Sequence, residues 1–400
     1  MRDRSLSDSC IWSARDPVVA LGTTRPVLSP SLPRLDPWIV WLPGLVVCQS
    51  VALSALWTDG GDFATFYATG RAWIAGADVY ASGQLPNLNP PIATLLFAPF
   101  AWLPLHGALV PWLILNLLGL LVSLRILGRE LAIAPSLRGL VLIGLSLPAL
   151  QLVHSGNLGW LLMVPATLAW RSARRDQWTQ AGAWLGLVLM LKPMFLGFLI
   201  YVAWRRQWRA LLACGAVGLG SLVLGAAIVG VDAYASWFRV VGTVNTANLS
   251  NASLLGLVGL WGLPRPWYGL AGAVVVGLTG WRLAQGPRSV DREWTIVWLA
   301  SILISPIGWV YYLWFAAGPL LATFHGQSSR RLTIAIGLLS VGALPLLALS
   351  RVLPGPMGAL FAPVAGVATL LLWWVSLDGG CRLLNRTPFE HPFKPQEVPV

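Results

Sequence analysis

Long apolar stretches that are almost free of charge recur from residue 38 to residue 377, and they restrict this chain to a fold that lies within a lipid bilayer. Only 10% of the 400 residues are charged, 56% are hydrophobic, and the mean hydropathy is +0.70. A water-soluble core of this size cannot bury so much apolar surface. The composition therefore predicts an all-α polytopic transmembrane helical bundle. It disfavours a soluble enzyme, a secreted disulfide scaffold and a nucleic-acid-binding protein.

The distribution of basic residues predicts the orientation of this bundle. The net charge is +12, and most basic residues are arginines between apolar stretches. They cluster at 125–138, 171–175, 205–209, 282–292, 330–331 and 382–386. Cytoplasmic loops of membrane proteins are enriched in this way. With these clusters and the N-terminal segment inside, five of the 27 basic residues lie outside: Arg71, Lys192, Arg239, Arg265 and Arg351.

One membrane domain is predicted between two polar tails. Residues 1–36, which are rich in Arg, Asp and Pro, are expected to form a disordered cytoplasmic N-terminal tail, and residues 378–400 a cytoplasmic C-terminal tail. The transmembrane domain occupies 37–377, with external loops at 58–90 and 232–267. About twelve crossings result, the first at 38–57, since a crossing helix needs about 20 apolar residues.

Two apolar stretches predict broken helices. The stretch 91–127 is broken by Pro99, Pro104 and Pro111. The arginine pattern allows it to cross only once, so we expect a re-entrant or kinked segment before the crossing helix. This segment and the short helices would form a groove open to lipid. The stretch 180–204 has cytoplasmic charge at both ends, so we expect two short helices that turn near Lys192.

Polar groups converge on the external face in this topology and predict a site there. They come from the loop 58–90 and from the turns at 154–157, 192–193 and 305–308. Packing alone gives no reason for this convergence. No cluster of His, Cys, Asp or Glu has metal-ligand spacing, so neither a metal site nor another cofactor is predicted.

Asp62 is the first candidate residue because it begins a predicted external helix. Apolar and aromatic residues follow it at helical spacing up to Ile74, which predicts a short amphipathic helix in the outer interface. The simpler alternative is that Asp62 only caps this helix and that Asp59 is solvated. The predicted external segments hold only four acidic residues, namely Asp59, Asp62, Asp78 and Asp232.

Lys192 is the second candidate because an ammonium group inside an apolar stretch is costly unless it has a partner. The chain contains two lysines, and the other, Lys394, lies in the C-terminal tail. Pro193 breaks the helix beside Lys192 and frees backbone groups for the same ligand. Lys192 is therefore interpreted either as an anion ligand at membrane depth or as a side chain that snorkels to the headgroup region.

An ordered set of short motifs resembles glycosyltransferase family 87. The set begins with Asp62-Phe63, Tyr67, Gly70, Gly76, Tyr80 and Asn89-Pro90-Pro91. It continues with Gly156-Asn157, Leu191-Lys192-Pro193, the tract Asn248 to Leu255, and Ser305-Pro306 with Trp309. Each motif is short, but the order is specific and spans about residues 38–377.

The resemblance implies an enzyme of the GT-C superfamily in the bacterial inner membrane, with its site on the external, periplasmic face. Such enzymes move a sugar, commonly mannose and in other cases arabinofuranose, from a polyprenyl-phosphate donor to an acceptor, here a lipid-linked molecule or a glycan, with inversion. The resemblance implies Asp62 as the base, with Asp59 as the alternative, and Lys192 as a ligand of the donor phosphate. Arg71, Arg239 or Arg265 would supplement the positive charge of Lys192. Further residues expected in the substrate cavity are Asp59, Tyr67, Asn157, Asn248, Ser305, Trp309 and Tyr312.

This chain departs from the family pattern in three places. Asn89 stands where an aromatic residue precedes the two prolines, and Asn157 follows a glycine without the usual glutamine. Val310, Tyr311 and Tyr312 follow the Ser-Pro-x-x-Trp element, where the family often has histidine. The two tyrosines are also typical of interfacial aromatic residues.

A carrier-lipid transporter or flippase without chemistry is the competing interpretation. It would use Lys192 for the same phosphate but would not need Asp62. The sequence has no Walker loop, no recognisable inverted repeat and few ionisable residues in its crossing segments, which disfavours ATP-driven and ion-coupled transport.

Overall fold

The computed structural model describes residues 61–81, 83, 85–133, 144, 146–285, 288–324, 329–340, 344–353 and 355–378. Within these ranges the chain forms α-helices and short 3-10 helices without named strands, as predicted. The β-type contacts there are isolated bridges that join Ser146 to Ser340 and Asn251 to Trp309. The N-terminal tail, the first predicted crossing, Asp59 and residues 379–400 lie outside the described residues.

Helices α1 to α9 form the N-terminal part of the described chain. They span Gly61–Ile74 (α1), Thr94–Phe97 (α2), Leu105–Glu130 (α3), Leu147–Ser155 (α4), Gly159–Arg174 (α5), Trp178–Leu191 (α6), Phe198–Trp204 (α7), Trp208–Val229 (α8) and Asp232–Val241 (α9). Short 3-10 helices lie at Pro91–Ala93, Ala98–Trp102 and Pro193–Phe195.

Helices α10 to α17 form the C-terminal part. They span Leu254–Leu260 (α10), Pro266–Gln285 (α11), Val290–Ile304 (α12), Ala317–Phe324 (α13), Arg330–Leu338 (α14), Leu344–Val352 (α15), Gly355–Phe361 (α16) and Val364–Asp378 (α17). A 3-10 helix at Val310–Ala316 leads into α13.

Prolines account for the breaks that the sequence predicts. The stretch 91–127 consists of a broken helical segment, Pro91–Trp102, followed by the long helix α3. The stretch 180–204 consists of α6 and α7, separated around Lys192 by a 3-10 helix that begins at Pro193. A proline has no backbone N–H to continue a helical ladder, and new elements start at Pro91, after Pro104 and at Pro193. Pro111, also expected to break the stretch, lies inside α3 without ending it.

Small residues allow the central helices to pack closely. Helix α5 lies between α3 and α6, and α6 makes extensive contact with α8. A Cβ atom at Gly119 would lie 2.7 Å from the carbonyl oxygen of Trp160, and one at Gly182 would collide with the carbonyl oxygen of Ala210. Glycine at these positions brings the helix backbones into direct contact, as is common in membrane bundles.

Two of the described helices are long and apolar enough to cross a bilayer. They are α3, with 26 residues and a hydropathy of 2.1, and α8, with 22 residues and a hydropathy of 2.2. Helices α6 and α17 and the segments Pro91–Trp102, Pro193–Trp204 and Val310–Phe324 are apolar but shorter. The total of about twelve crossings and the interfacial position of α1 stay predictions.

Ion pairs join several helix ends that carry the predicted cytoplasmic charge. Glu130, at the end of α3, accepts contacts from Arg171, Arg174 and Arg175 at 3.1, 3.2 and 2.8 Å. Arg174 also pairs with Asp291 in the first turn of α12 at 3.0 Å. Three of the arginine-bearing segments therefore meet at one end of the bundle, consistent with their assignment to one side of the membrane.

Candidate active site

Asp62 and Asn157 are far apart in sequence but in direct contact. Asp62 lies in the first turn of α1 and is partly exposed, whereas Asn157 lies in the turn between α4 and α5 and is 2% exposed. Asn157 Nδ2 donates a hydrogen bond to Asp62 Oδ2 at 2.7 Å. Asn157 Oδ1 accepts one from the backbone nitrogen of Leu158 at 2.8 Å. The carboxamide is thus fixed at both ends and orients the Asp62 carboxylate.

Trp112 on α3 holds both partners in place. Gly156 ends α4 with a left-handed φ of 62°, which favours glycine. The carbonyl of Gly156 accepts a hydrogen bond from Trp112 Nε1 at 2.7 Å. Phe63, next to Asp62, stacks on the Trp112 ring with centroids 5.8 Å apart. The start of α1 and the turn that carries Asn157 therefore rest on one buried side chain.

Lys192 belongs to a buried polar network. It is 3% exposed, and its Nζ donates a hydrogen bond to Asn89 Oδ1 at 2.9 Å. Asn89 Nδ2 donates to Asn87 Oδ1 at 3.1 Å, and Asn87 Nδ2 donates to Thr69 Oγ1 at 3.0 Å. The Tyr312 ring centroid lies 5.4 Å from Lys192 Nζ. The lysine is thereby connected to α1, the helix that carries the candidate base.

The charges of Asp62 and Lys192 interact without a direct ion pair. Burial raises the pKa of the Asp62 carboxyl above its ordinary value, whereas the Asn157 hydrogen bond and the Lys192 charge act in the opposite direction. Asp62 and Lys192 do not form an ion pair, because no carboxylate oxygen of Asp62 lies within 4.0 Å of Lys192 Nζ. A base with a raised pKa and a separate ammonium group can act on two different atoms of one substrate.

The two predicted arginines lie further from this pair. Arg71 is exposed in the last turn of α1, about 13 Å along the helix from Asp62 at 1.5 Å per residue. Arg239 is exposed on α9, and its Nη2 donates to Ser236 Oγ at 2.9 Å. Tyr67 is buried, and its hydroxyl donates to the carbonyl of Leu103 at 2.7 Å. Their roles toward a ligand stay predictions.

Ser305 and Trp309 form part of a structural brace. The Ser305 hydroxyl donates to the carbonyl of Ile307 at 3.0 Å, and Trp309 forms a β-bridge with Asn251. Asn251 Oδ1 accepts from the backbone of Gly308 at 2.9 Å, which ties two loops together. Asn248 is exposed at the edge of this brace. These loops position the 3-10 helix Val310–Ala316, which carries Tyr311 and Tyr312.

An apolar groove of about 530 Å³ opens between the C-terminal end of α1 and the broken segment Pro91–Trp102. Its lining residues are Trp73, Ile74, Leu95, Ala98, Pro99 and Trp102. Trp102 is 79% exposed, which is unusual for a tryptophan facing water. The groove coincides with the segment for which the sequence predicts a lipid-facing groove.

Three contacts of the site were not predicted from the sequence. Asn87 and Asn89 stand two positions apart, before two prolines and an apolar stretch. That pair of carboxamides was the sequence signal that could have indicated partners for Lys192. Tyr311 was interpreted as an interfacial aromatic residue, but it is 1% exposed and close enough to Asp62 to interact with it electrostatically.

Among the described residues, no group of three His, Cys, Asp or Glu side chains could hold a metal ion.

Comparison with known proteins identifies related sequences over most of the chain. The model of the family described as glycosyltransferase family 87 matches residues 87–306, which include Asn89, Asn157 and Lys192. A polyprenol-phosphate-mannose-dependent alpha-(1-2)-phosphatidylinositol mannoside mannosyltransferase from Mycobacterium tuberculosis is 24% identical over 354 residues, or 77% of this chain and 78% of that protein. Its counterpart from Mycolicibacterium smegmatis is 27% identical over 367 residues, or 80% and 83%.

A shorter similarity extends to a second type of transferase. An alpha-(1->3)-arabinofuranosyltransferase from Corynebacterium glutamicum is 28% identical over 247 residues, which cover 56% of this chain and 55% of that protein. Among solved structures, the crystal structure of ArnT from Cupriavidus metallidurans bound to undecaprenyl phosphate matches with a TM-score of 0.41 and 15% identity. That match covers 86% of this chain and 77% of ArnT.

Proposed function

This chain belongs to glycosyltransferase family 87, and from that membership we propose that it transfers a hexose, with mannose as the first candidate, from a polyprenyl-phosphate donor to a lipid-linked or glycan acceptor. The reaction takes place on the external face of the bacterial inner membrane and inverts the anomeric centre. The observation that supports this proposal is the electrostatic interaction between one carboxylate, Asp62 in the first turn of α1, and one buried ammonium, Lys192.

Asp62 acts as the general base in a single displacement. The acceptor hydroxyl oxygen attacks the anomeric carbon of the sugar while Asp62 takes the hydroxyl proton. The bond between that carbon and the phosphate oxygen breaks, and its electron pair leaves with the polyprenyl phosphate. Phosphate leaves without a general acid, so one carboxylate is sufficient. A glycoside hydrolase, by contrast, needs a facing pair of carboxyl groups.

Lys192 holds the phosphate of the donor and of the departing carrier. Its ammonium is buried and is hydrogen-bonded to a neutral carboxamide, so its positive charge is not cancelled by a contacting anion. A phosphate at this position stabilises the ammonium and gains a charge-assisted contact. Arg71 and Arg239 supplement this charge as the donor approaches from the outer surface.

The polyprenyl tail occupies the apolar groove between α1 and Pro91–Trp102. The groove lies near Trp73, about 16 Å along α1 from Asp62 at 1.5 Å per residue. A polyprenyl chain of several isoprene units spans that separation. The tail can then remain in lipid contact while its phosphate reaches Lys192.

Mannose is preferred because the two mannosyltransferases are similar to this chain over about four fifths of its length. Arabinofuranose is the alternative because the similarity to an arabinofuranosyltransferase covers 56% of the chain. The two sugars are distinguished by supplying each as its polyprenyl-phosphate derivative to the same preparation.

The test is an assay of sugar transfer with purified protein, labelled polyprenyl-phosphate mannose or arabinofuranose, and lipid acceptors. Asp62→Asn removes the base but keeps the shape of the side chain, so we expect product formation to fall at least 100-fold while donor binding is retained. Asp232→Asn makes the same change at an exposed position on α9 and serves as the matched control.

Lys192→Met tests the phosphate contact in the same preparation. We expect the affinity for polyprenyl phosphate to fall, with the affinity for uncharged polyprenol unchanged. Full transfer by Asp62→Asn would contradict the role of Asp62 as base. Binding of the donor without any transfer by the wild-type protein would favour a carrier-lipid transporter instead.

A further inference from the structure

Two tyrosine hydroxyls stand out from the rest because they are buried without a hydrogen-bond partner. Tyr311 is 1% exposed and Tyr312 is 0% exposed, and neither hydroxyl meets hydrogen-bond geometry with a described group. All seven tyrosines of the chain lie in the described ranges. The other five each donate to a protein oxygen: Tyr67, Tyr80, Tyr201, Tyr234 and Tyr268.

An unpartnered buried hydroxyl costs free energy, so its presence calls for an explanation. Within the described ranges, the Thr94 hydroxyl and four buried indole nitrogens also lack a partner; the indoles belong to Trp160, Trp294, Trp298 and Trp314. An unpartnered atom alone therefore does not identify a ligand site. The two hydroxyls differ from the indoles because each tyrosine lies beside an ionisable group of the candidate active site.

The positions of the two rings connect the base to the cation. The Tyr311 hydroxyl approaches the Asp62 carboxylate and the Tyr312 hydroxyl without reaching good hydrogen-bond geometry with either. The Tyr312 ring centroid lies 5.4 Å from Lys192 Nζ. The two tyrosine rings are 5.0 Å apart and nearly perpendicular, at 83°. The backbone nitrogen of Val310 donates to the carbonyl of Ser250 at 2.9 Å, which fixes the start of this 3-10 helix.

Packing explains the rings but not the hydroxyls. Tyr312 stacks on Phe315 with centroids 5.4 Å apart and meets Phe195 edge to face at 5.1 Å. Phenylalanine would make these contacts equally well and would bury no unpartnered oxygen. The two oxygens therefore keep hydrogen-bonding capacity that no described protein group uses with good geometry.

We propose that the Tyr311 and Tyr312 hydroxyls bind the polyprenyl-phosphate sugar, Tyr312 through a phosphate oxygen beside Lys192 and Tyr311 through a sugar hydroxyl beside Asp62. This inference rests on the proposed function and deepens it. The pair spans the bond that breaks, since one hydroxyl lies on the phosphate side and the other on the sugar side. Both oxygens gain the hydrogen bonds that they lack in the free protein.

The test replaces each tyrosine by phenylalanine, which removes a single oxygen. Binding is measured by titrating the purified protein with polyprenyl phosphate and with polyprenyl-phosphate mannose, and unfolding is followed by heating. We expect Tyr312→Phe to weaken both ligands about tenfold or more, because it loses a bond to a charged group. Tyr311→Phe should weaken only the sugar-bearing ligand, by about fivefold.

Stability separates a ligand role from a structural role. Tyr311→Phe and Tyr312→Phe should unfold close to the wild-type temperature, since neither hydroxyl makes a hydrogen bond of good geometry with a described protein group. Tyr268→Phe is the matched control: its hydroxyl donates to the carbonyl of Ile304, so this variant should unfold at a lower temperature and bind both ligands normally.

Unchanged affinity in both tyrosine variants would overturn the inference while leaving the proposed function intact. A loss of affinity that parallels a loss of stability would also overturn it, because the hydroxyls would then be structural. If wild-type protein bound neither phosphate ligand, the proposed function itself would fail.

Discussion

Replacing Asn89 by aspartate places a negative charge where the structure has a neutral partner for Lys192. Asn89 is 1% exposed, and its Oδ1 lies 2.9 Å from Lys192 Nζ. Its backbone carbonyl accepts a hydrogen bond from the Tyr80 hydroxyl at 2.7 Å, and its backbone nitrogen donates to Asn87 Oδ1 at 3.0 Å. The backbone is therefore held firmly at this position. An aspartate of the same shape loses the donation from Asn89 Nδ2 to Asn87 Oδ1, but it places a carboxylate oxygen within ion-pair distance of Lys192.

The size of the effect follows from that distance. Two unit charges 2.9 Å apart attract by about 6 kcal/mol at an effective dielectric constant of about 20. Desolvation of the new carboxylate offsets a large part of this attraction, so about 3 kcal/mol is a reasonable net value. An incoming phosphate must compete with that ion pair. We therefore expect the affinity for polyprenyl phosphate to fall about 100-fold.

The measurement is a binding titration of purified Asn89→Asp with polyprenyl phosphate, with polyprenol as the uncharged reference. Asn89→Leu removes the acceptor without adding charge and should lower the affinity less. Asn245→Asp, the same change at an exposed position, should bind as the wild type does. Wild-type affinity in Asn89→Asp would refute the reasoning, because a neutralised Lys192 could not then be the phosphate ligand.

Three further variants test the site and the fold. Asn157→Ala removes the 2.7 Å hydrogen bond to Asp62, which is worth about 1.5–3 kcal/mol when the acceptor is charged. We therefore expect kcat to fall about 10- to 100-fold while the donor affinity is retained. A kcat equal to that of the wild type would exclude an orienting role for Asn157. Gly182→Ala drives a methyl group into a backbone carbonyl of α8 and should lower the free energy of unfolding by about 1–3 kcal/mol, measured as a lower thermal midpoint. Gly272→Ala, which adds a methyl group in open surroundings, should leave the thermal midpoint unchanged. Glu130→Gln leaves Arg171 and Arg175 without their counter-charge, whereas Arg174 keeps its contact with Asp291. The variant should have a lower thermal midpoint and unchanged donor affinity, and an unaltered midpoint would mean that these ion pairs contribute little.

The sequence was sufficient for the helical fold and for the two charged residues of the site. Hydropathy and proline positions predict where helices break, because a missing backbone N–H acts locally. Asp62 and Lys192 could be selected because ionisable groups are rare in an apolar chain, and rarity is visible without a structure. Asn157 was selected from a motif, but its contact with Asp62 depends on how α4 and α5 pack against α1.

The partners of the charged residues could not be predicted in the same way. Asn87 and Asn89 resemble ordinary turn residues before proline, and only the packing of the loop against α6 shows that one of them reaches Lys192. Tyr312 was expected in the substrate cavity from the resemblance, whereas Tyr311 was interpreted only as an aromatic residue of a membrane interface. Whether a buried hydroxyl has a partner depends on tertiary distances that no local pattern encodes.

Neutral partners explain how this site keeps its two charges available. A direct ion pair between Asp62 and Lys192 would satisfy both groups in the absence of substrate, and a ligand would have to break it. Instead, each charged group is hydrogen-bonded to a carboxamide, Asn157 for the carboxylate and Asn89 for the ammonium. A carboxamide uses one of the three Lys192 donors and cancels no charge. The remaining donors are left for an anion, and no anionic group of the described residues contacts the ammonium, which is the condition that the proposed phosphate site must meet.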